Sequence, residues 1–273
     1  MSSQENDADE LLRWADDRGL SWSELAEKVL ARGLASSSHR PDLDRHRRCG
    51  FREVIYGEGK SASDVVEIAG QLLSTSSASQ DPSAEVLVTR FSADLAEEVQ
   101  PNFAFSRYDS QARTLRLSAD HSPASELLET SGGPALPRSH VAVVTAGSTD
   151  LPVALEAVET LHWMHVPVTL TTDVGVAGPY RLLPHLPHLR RACALIVIAG
   201  MEGALASVVG GLVASPVIAV PTSVGYGSNF EGITTLLSMM SSCAAGVTTV
   251  NIDGGFKGGY IAGLISAGLN PDD

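Results

Sequence analysis

The sequence predicts an α/β protein whose second half is an open parallel sheet covered by helices on both faces, preceded by a smaller α/β unit. Three observations carry this. Short β-branched runs alternate with helical repeats after about residue 140. The runs are mostly apolar, as in strands buried on both faces. The stretches between them are long enough for right-handed crossovers. With 273 residues, 44% hydrophobic and 19% charged, the chain can bury a real core in one large or two smaller domains, and global disorder is excluded. Thirty-two acidic against 19 basic residues give a formal charge of -13, which argues against a nucleic-acid partner because a polyanion needs a cationic surface.

Along the first half, Ser21-Trp22-Ser23-Glu24 has capping-box spacing, with Leu25, Val29 and Leu30 as an apolar stripe and Gly33 as the stop. A second helix is expected from near Ser63 through Val65, Val66, Ile68, Leu72 and Leu73, followed by a Ser-rich loop. Strands are expected at Glu85–Phe91, Phe103–Tyr108 and Thr114–Leu117, the last two joined by a turn at Asp109-Ser110. The domain reading is residues 1–130, a Gly/Pro linker at 131–139, and a catalytic domain at 140–273.

In the second half, strands are expected at Val141–Thr145, Val166–Thr171, Leu195–Ala199, Val217–Val220 and Val247–Ile252. Ala154, Ala157, Val158, Leu161 and Met164 recur at helical period, and Ile233–Met240 is another amphipathic run. The apolar stretch from Ala192 to Val220 has the length of a membrane span, but Gly200, Gly203, Gly210, Gly211 and Pro216 interrupt it, so it reads as strand, turn, helix, strand. The amino terminus lacks a cationic start followed by an apolar core, and Cys49, Cys193 and Cys243 form no CxxC pair, so a reduced, cytoplasmic setting with no membrane partner is expected.

Ligands of such sheets collect beyond the carboxyl ends of the strands. The segments there are 146–150, 172–178, 200–203, 221–227 and 253–256, and every one contains glycine. Glycine lets backbone donors approach an anion, and a following helix N-terminus adds positive charge; glycine also simply makes tight turns, and for any one loop both readings stand. Gly225-Tyr226-Gly227 lacks the third glycine of a dinucleotide fingerprint, so a Rossmann NAD site is not expected. Glu202, an isolated carboxylate between an apolar strand and an apolar helix, reads as a site residue or a helix N-terminal charge. Asp150 and Asp173 have plain cap or turn readings too. Cys243 follows a helix C-terminus, where the dipole does not activate a thiolate, and by itself reads as a small buried residue.

Arg48-Cys49-Gly50-Phe51-Arg52-Glu53-Val54-Ile55-Tyr56-Gly57-Glu58-Gly59-Lys60, Val141–Gly147, Gly200-Met201-Glu202-Gly203-Ala204, Val220–Gly227 and Ser242-Cys243-Ala244-Ala245-Gly246-Val247 together resemble the LarB family, from about residue 45 onward. That family is the pyridinium-3,5-biscarboxylic acid mononucleotide synthase of nickel-pincer nucleotide biosynthesis. The second half is similar, more distantly, to the PurE fold, whose glycine-serine-aspartate loop is echoed by Gly147-Ser148-Thr149-Asp150. The resemblance implies a flavodoxin-like three-layer C-terminal domain and a symmetric homo-oligomer, an octamer, with sites at subunit contacts.

It also implies a reaction: nicotinic acid adenine dinucleotide is carboxylated with CO2 on its pyridinium ring and hydrolysed to release AMP. Cys243 is implied as the nucleophile and Glu202 as the acid/base residue, with Ser148, Thr149 and Asp150 holding CO2 or the new carboxylate. Asp173, Gly175, Gly178, Gly200, Gly203, Ser223, Gly225 and Gly227 form the loops expected to hold the substrate. Arg48 and Lys60, with Arg52, are expected to meet the dinucleotide, since a pyrophosphate wants cations. Mg²⁺ is expected beside the pyrophosphate, with ligands undefined, and no organic cofactor. The runners-up are an aminoimidazole ribonucleotide carboxylase or mutase, against which Asp173 stands where that group carries histidine, and a noncatalytic nucleotide-binding protein. Topology adds one expectation: Cys243 precedes the fifth strand, and a helix of about ten residues carries it roughly 15 Å from the loop before that helix, so a site shared between protomers is expected.

Overall fold

In the computed structural model the described residues are 21, 23, 39–79, 85–129 and 136–269, with the side chains of 75–79 left aside. Apart from Ser21 and Ser23, the capped helix expected at Ser21–Gly33 lies outside them, as do residues 131–135 of the expected linker. Residues 41–273 belong to one compact unit built around two sheets.

The first sheet is mixed. A short helix α1 (Arg45–Cys49) precedes β1 (Ile55–Tyr56), α2 (Ala62–Ser79), β2 (Glu85–Thr89), α3 (Ala93–Val99), β3 (Phe105–Asp109) and β4 (Thr114–Ser118), and the strand order is β1-β2-β4-β3. β1 runs parallel to β2, and the rest is antiparallel. Ser61 caps α2: Asp64 N–H donates to Ser61 Oγ at 3.2 Å, and Ser61 N–H donates to Asp64 Oδ2 at 2.9 Å. This reciprocal cap starts the helix just before the expected Ser63. The helix also runs on through Ser79, where a Ser-rich loop was expected, because the apolar row Val65-Ile68-Ala69-Leu72-Leu73 is already anchored in the core and serine costs a helix only a few tenths of a kcal/mol. At the β3–β4 turn, Asp109 Oδ1 accepts from the N–H groups of Gln111 and Ala112, as the Asp-Ser turn predicts.

The second sheet is all parallel. Its elements are β5 (Val141–Thr145), α4 (Leu151–Trp163), β6 (Val168–Thr171), α5 (Leu186–Leu189), β7 (Ala194–Ala199), α6 (Ala204–Gly210), β8 (Val217–Pro221), α7 (Ile233–Met240), β9 (Val247–Thr249) and α8 (Gly255–Ala267). The order β6-β5-β7-β8-β9 is the 2-1-3-4-5 arrangement of flavodoxin-like sheets. β9 stops at Thr249 rather than Ile252, since Gly254 N–H donates to Asn251 O at 3.1 Å and closes a turn into α8.

Alternation along each strand builds the two cores. Val141, Val143, Ile196, Ile198, Ile218 and Val220 face α4 and α8, whereas Ala142, Val144, Leu195, Val197, Val217 and Ala219 face α6, the 182–189 segment and Met239 of α7. Each large side chain fully buried there contributes roughly 1.5–3 kcal/mol. α8 packs against α4 through Gly255, Gly259 and Gly263, one glycine per turn, so the backbones approach closely.

The two sheets meet across α4. Trp163 Nε1 donates to Glu85 O at 2.9 Å. Arg116, wholly buried, lies 3.6 Å from Glu85 and 3.2 Å from Glu159, with Arg107 also reaching Glu159 at 3.3 Å. Among the described residues no helix is long and apolar enough to cross a membrane.

Candidate functional site

The five loops at the carboxyl edge of the parallel sheet are laced to one another. After β5, Asp150 is buried: Gly147 N–H donates to its Oδ2 at 2.9 Å and Thr222 Oγ1, from the loop after β8, to its Oδ1 at 2.8 Å. Burial pushes the Asp150 carboxyl above its ordinary pKa, with Thr222 and Gly147 opposing. Ser148 and Thr149, in the turn that opens α4, are exposed. After β6, Asp173 N–H donates to Thr145 Oγ1 at 3.2 Å, and its carboxylate pairs with Arg181 at 2.8 Å.

After β7, Met201 N–H donates to Val224 O at 3.0 Å, and Gly203, at φ +68, turns the chain into α6. Glu202, between them, is exposed and makes no hydrogen bond or ion pair with the described residues. After β8, Ser223 N–H donates to Asp253 Oδ1 at 2.8 Å. Buried Asn229 donates to Val224 O at 3.2 Å and accepts from Thr235 Oγ1 at 2.9 Å.

These contacts explain most of the glycines. A Cβ at Gly175 would lie 2.7 Å from Ala146 O, one at Gly178 would lie 2.7 Å from Arg181 Nε, and Gly200 and Gly225 are closed off by Val224 O and Asn229. Gly175 and Gly200 serve the approach of loop to loop, and Gly178 and Gly225 the folding of one loop on itself. Gly147 and Gly227 alone of the expected set have no heavy atom within 3.4 Å of such a Cβ.

Above this bed, a cleft of about 240 Å³ is bounded by Thr149, Glu156, Ser223 and Asp253 from the parallel sheet and by Arg90, Gln111 and Arg113 from the mixed one. Arg90 Nε donates to Glu156 Oε1 at 2.8 Å, and its Nη2 donates to Asp253 O, so this cation is fixed as a strut. Arg113 makes no ion pair with the described residues. Of the cations expected to meet a dinucleotide, Arg48 is exposed and paired with Asp42 and Asp44, while Lys60 is half-buried beside the Gly57–Gly59 turn, at the edge of the mixed sheet where Gly57 N–H meets Thr89 O.

Cys243 is exposed and lies elsewhere, in the bend between α7 and β9 at the amino edge of the sheet. Beside it, Ser242 Oγ is 2.8 Å from Ser207 Oγ of α6. Cys193 is half-buried, donating to Ser139 O at 3.2 Å, and Cys49 is exposed at the end of α1. Among the described residues no group of three or more His, Cys, Asp or Glu is placed to hold a metal ion, so no protein cage for Mg²⁺ is present there.

The order of domains decides the family. A model described as LarB/PurE-like N-terminal domain matches residues 36–119, and one described as AIR carboxylase matches residues 140–272. The chain belongs to the LarB family. A relative from Methanocaldococcus jannaschii, the uncharacterized protein MJ0165, is 36% identical over 233 residues, covering 82% of each chain. The domains are those of a carboxylase-type family with a PurE-like second half.

In this LarB-family chain the structure brings Glu202, Ser148, Thr149 and Ser223 to one edge and leaves Cys243 at the other. Asp150 is occupied inside the loop bed. Arg90, Arg113, Thr222 and Asn229 escaped the sequence reading. Arg90 and Arg113 directly flank strands β2 and β4, but the meeting of those strand ends with loops 60 to 160 residues away has no local signature.

Proposed function

We propose that the protein carboxylates the pyridinium ring of nicotinic acid adenine dinucleotide and hydrolyses its phosphoanhydride, yielding pyridinium-3,5-biscarboxylic acid mononucleotide and AMP. What supports the reading is the succession of a LarB-type and a carboxylase-type domain in one chain, together with an exposed thiol and an exposed carboxylate at the matching motif positions. A pyridinium ring is an electrophile and does not attack CO2. The Cys243 thiolate adds to the carbon beside the target, and the resulting dihydropyridine enamine attacks CO2, forming the new C–C bond. Glu202 then takes the ring proton, the electron pair restores aromaticity and the thiolate leaves.

Ser148 and Thr149, at the start of α4, are placed to meet CO2 or the new carboxylate, with Asp150 holding the turn that presents them. Lys60 and Arg113 take the phosphates, and water cleaves the anhydride. A Mg²⁺ ion would draw its ligands from pyrophosphate oxygens and water, and no step is routed through it. α7, which carries the chain from the loop after β8 to Cys243 at the opposite edge, has eight residues and rises about 12 Å. A neighbouring subunit of a homo-oligomer, on this reading an octamer in the cytoplasm, therefore supplies the thiol. Incubation with nicotinic acid adenine dinucleotide and bicarbonate, read by mass spectrometry, tests the function: a carboxylated mononucleotide with equimolar AMP is expected, and intact dinucleotide as the sole species would refute it.

A further inference from the structure

At the amino edge of the parallel sheet, away from the loop bed, lies a cleft of about 950 Å³ bounded by Arg138, Ser139, Arg190, Arg191, Cys193 and Leu269. Residues 136–269 contain five Lys and Arg side chains, Arg138, Arg181, Arg190, Arg191 and Lys257, and three of the five share this cleft. In a chain of net charge -13 that is a strong local concentration of positive charge. Among the described residues it is also uncompensated. Arg181 pairs with Asp173, but no carboxylate among the described residues pairs with Arg138, Arg190 or Arg191, and none bounds the cleft.

Two of the guanidinium groups are instead held by neutral backbone. Arg190 Nε donates to Leu212 O at 3.0 Å, and Arg191 Nη2 donates to Leu136 O at 3.1 Å. Each contact uses one donor, so the heads are oriented while their charge and remaining N–H groups stay available. Burial pushes the Cys193 thiol up from its ordinary pKa, so it brings no negative charge to the cleft. The Ser139 hydroxyl adds a further donor.

We propose that this cleft binds a small polyanion bearing two or more phosphate or carboxylate groups. Three guanidinium charges exceed the roughly two negative charges of one phosphate, forked donors match both kinds of oxyanion, and the volume falls within the range of small-molecule sites. The site is separate from the proposed reaction: β5 and β7, five and six residues long, put about 15–20 Å between it and the loop bed. It stands or falls independently of the carboxylation chemistry.

Cys193 is a reporter inside the cleft. On the full chain at low salt, inorganic pyrophosphate and citrate are titrated separately while alkylation of each cysteine is followed by peptide mapping. Pyrophosphate is expected to slow Cys193 labelling at least fivefold, saturably, with Cys49 unaffected and the protection lost as salt screens the arginines. The citrate arm separates a general oxyanion site from one that prefers phosphate. Calorimetry gives a second reading that does not need a reactive thiol: Arg190→Ala/Arg191→Ala weakens pyrophosphate binding at least tenfold, and Arg190→Lys/Arg191→Lys retains part of it. Binding and protection undiminished in the double alanine variant, or no binding of either anion at millimolar concentration, would overturn the proposal.

Discussion

Thr222 Oγ1 donates to Asp150 Oδ1 at 2.8 Å, joining the loops after β5 and β8 where neither side chain meets solvent. Because burial raises the Asp150 pKa above its unfolded value, folding takes up a proton there, and stability falls as pH rises through the folded pKa. The contribution is fully present below the unfolded value of 3.8 and is lost as pH rises through the folded one. Asp150→Asn removes that dependence. Urea unfolding from pH 4 to 7 is expected to show wild type gaining stability relative to the variant as pH falls, and a pH-independent difference would mean a carboxylate solvated in the native state.

The pair of Arg116 with Glu159 has the opposite sign. Burial alone would raise the Glu159 carboxyl, but His162, Arg116 and Arg107 outweigh it and hold it below the ordinary glutamate value. Its stabilising contribution is present above the unfolded value of 4.5 and is lost as pH falls through the folded one. Glu159→Gln should be most destabilised against wild type at neutral pH and converge with it in acid. Arg116→Met removes the buried cation between Glu85 and Glu159, leaving His121 on the first and Arg107 and His162 on the second, and is expected to cost about 3 kcal/mol, read by denaturant midpoint. A loss under 1 kcal/mol would show that water reaches the cluster.

Two helical glycines should respond oppositely to alanine. At Gly259 a Cβ would lie 2.8 Å from Ala157 O and 2.9 Å from Thr160 Cβ, and overpacking of about 1–3 kcal/mol outweighs a helix-propensity gain of at most about 1 kcal/mol. Gly70, on the exposed side of α2, has no heavy atom within 4 Å of such a Cβ. Gly70→Ala should therefore raise Tm and Gly259→Ala lower it. Equal shifts in thermal unfolding would contradict the close packing of α8 on α4.

For the proposed chemistry, Cys243→Ser is expected to lose ring carboxylation by more than a hundredfold while retaining dinucleotide binding, and Glu202→Gln to accumulate an adduct on Cys243 detectable by intact mass. Mixing the two inactive proteins under subunit exchange should restore partial activity, because one wild-type thiol and one wild-type carboxylate can then meet across a subunit contact. Verified exchange without recovered turnover would place both residues in one subunit.

The strands of the parallel sheet and the helix Ile233–Met240 were legible in the sequence because each has a local period and two strand faces that must both be apolar. The motif positions of Glu202 and Cys243 were legible too, as residue types out of keeping with their surroundings or matched in order to a family. Tertiary structure alone decided the remainder. Asp150 became an internal tie rather than an open ligand, Gly175 and Gly200 became loop-to-loop contacts, and Arg90 reached across 66 residues to Glu156. None of these follows from neighbours along the chain. Each is set by how two separately formed sheets dock, and a buried polar group takes whichever partner that docking brings within hydrogen-bonding distance, because leaving it bare costs more than the bond itself contributes.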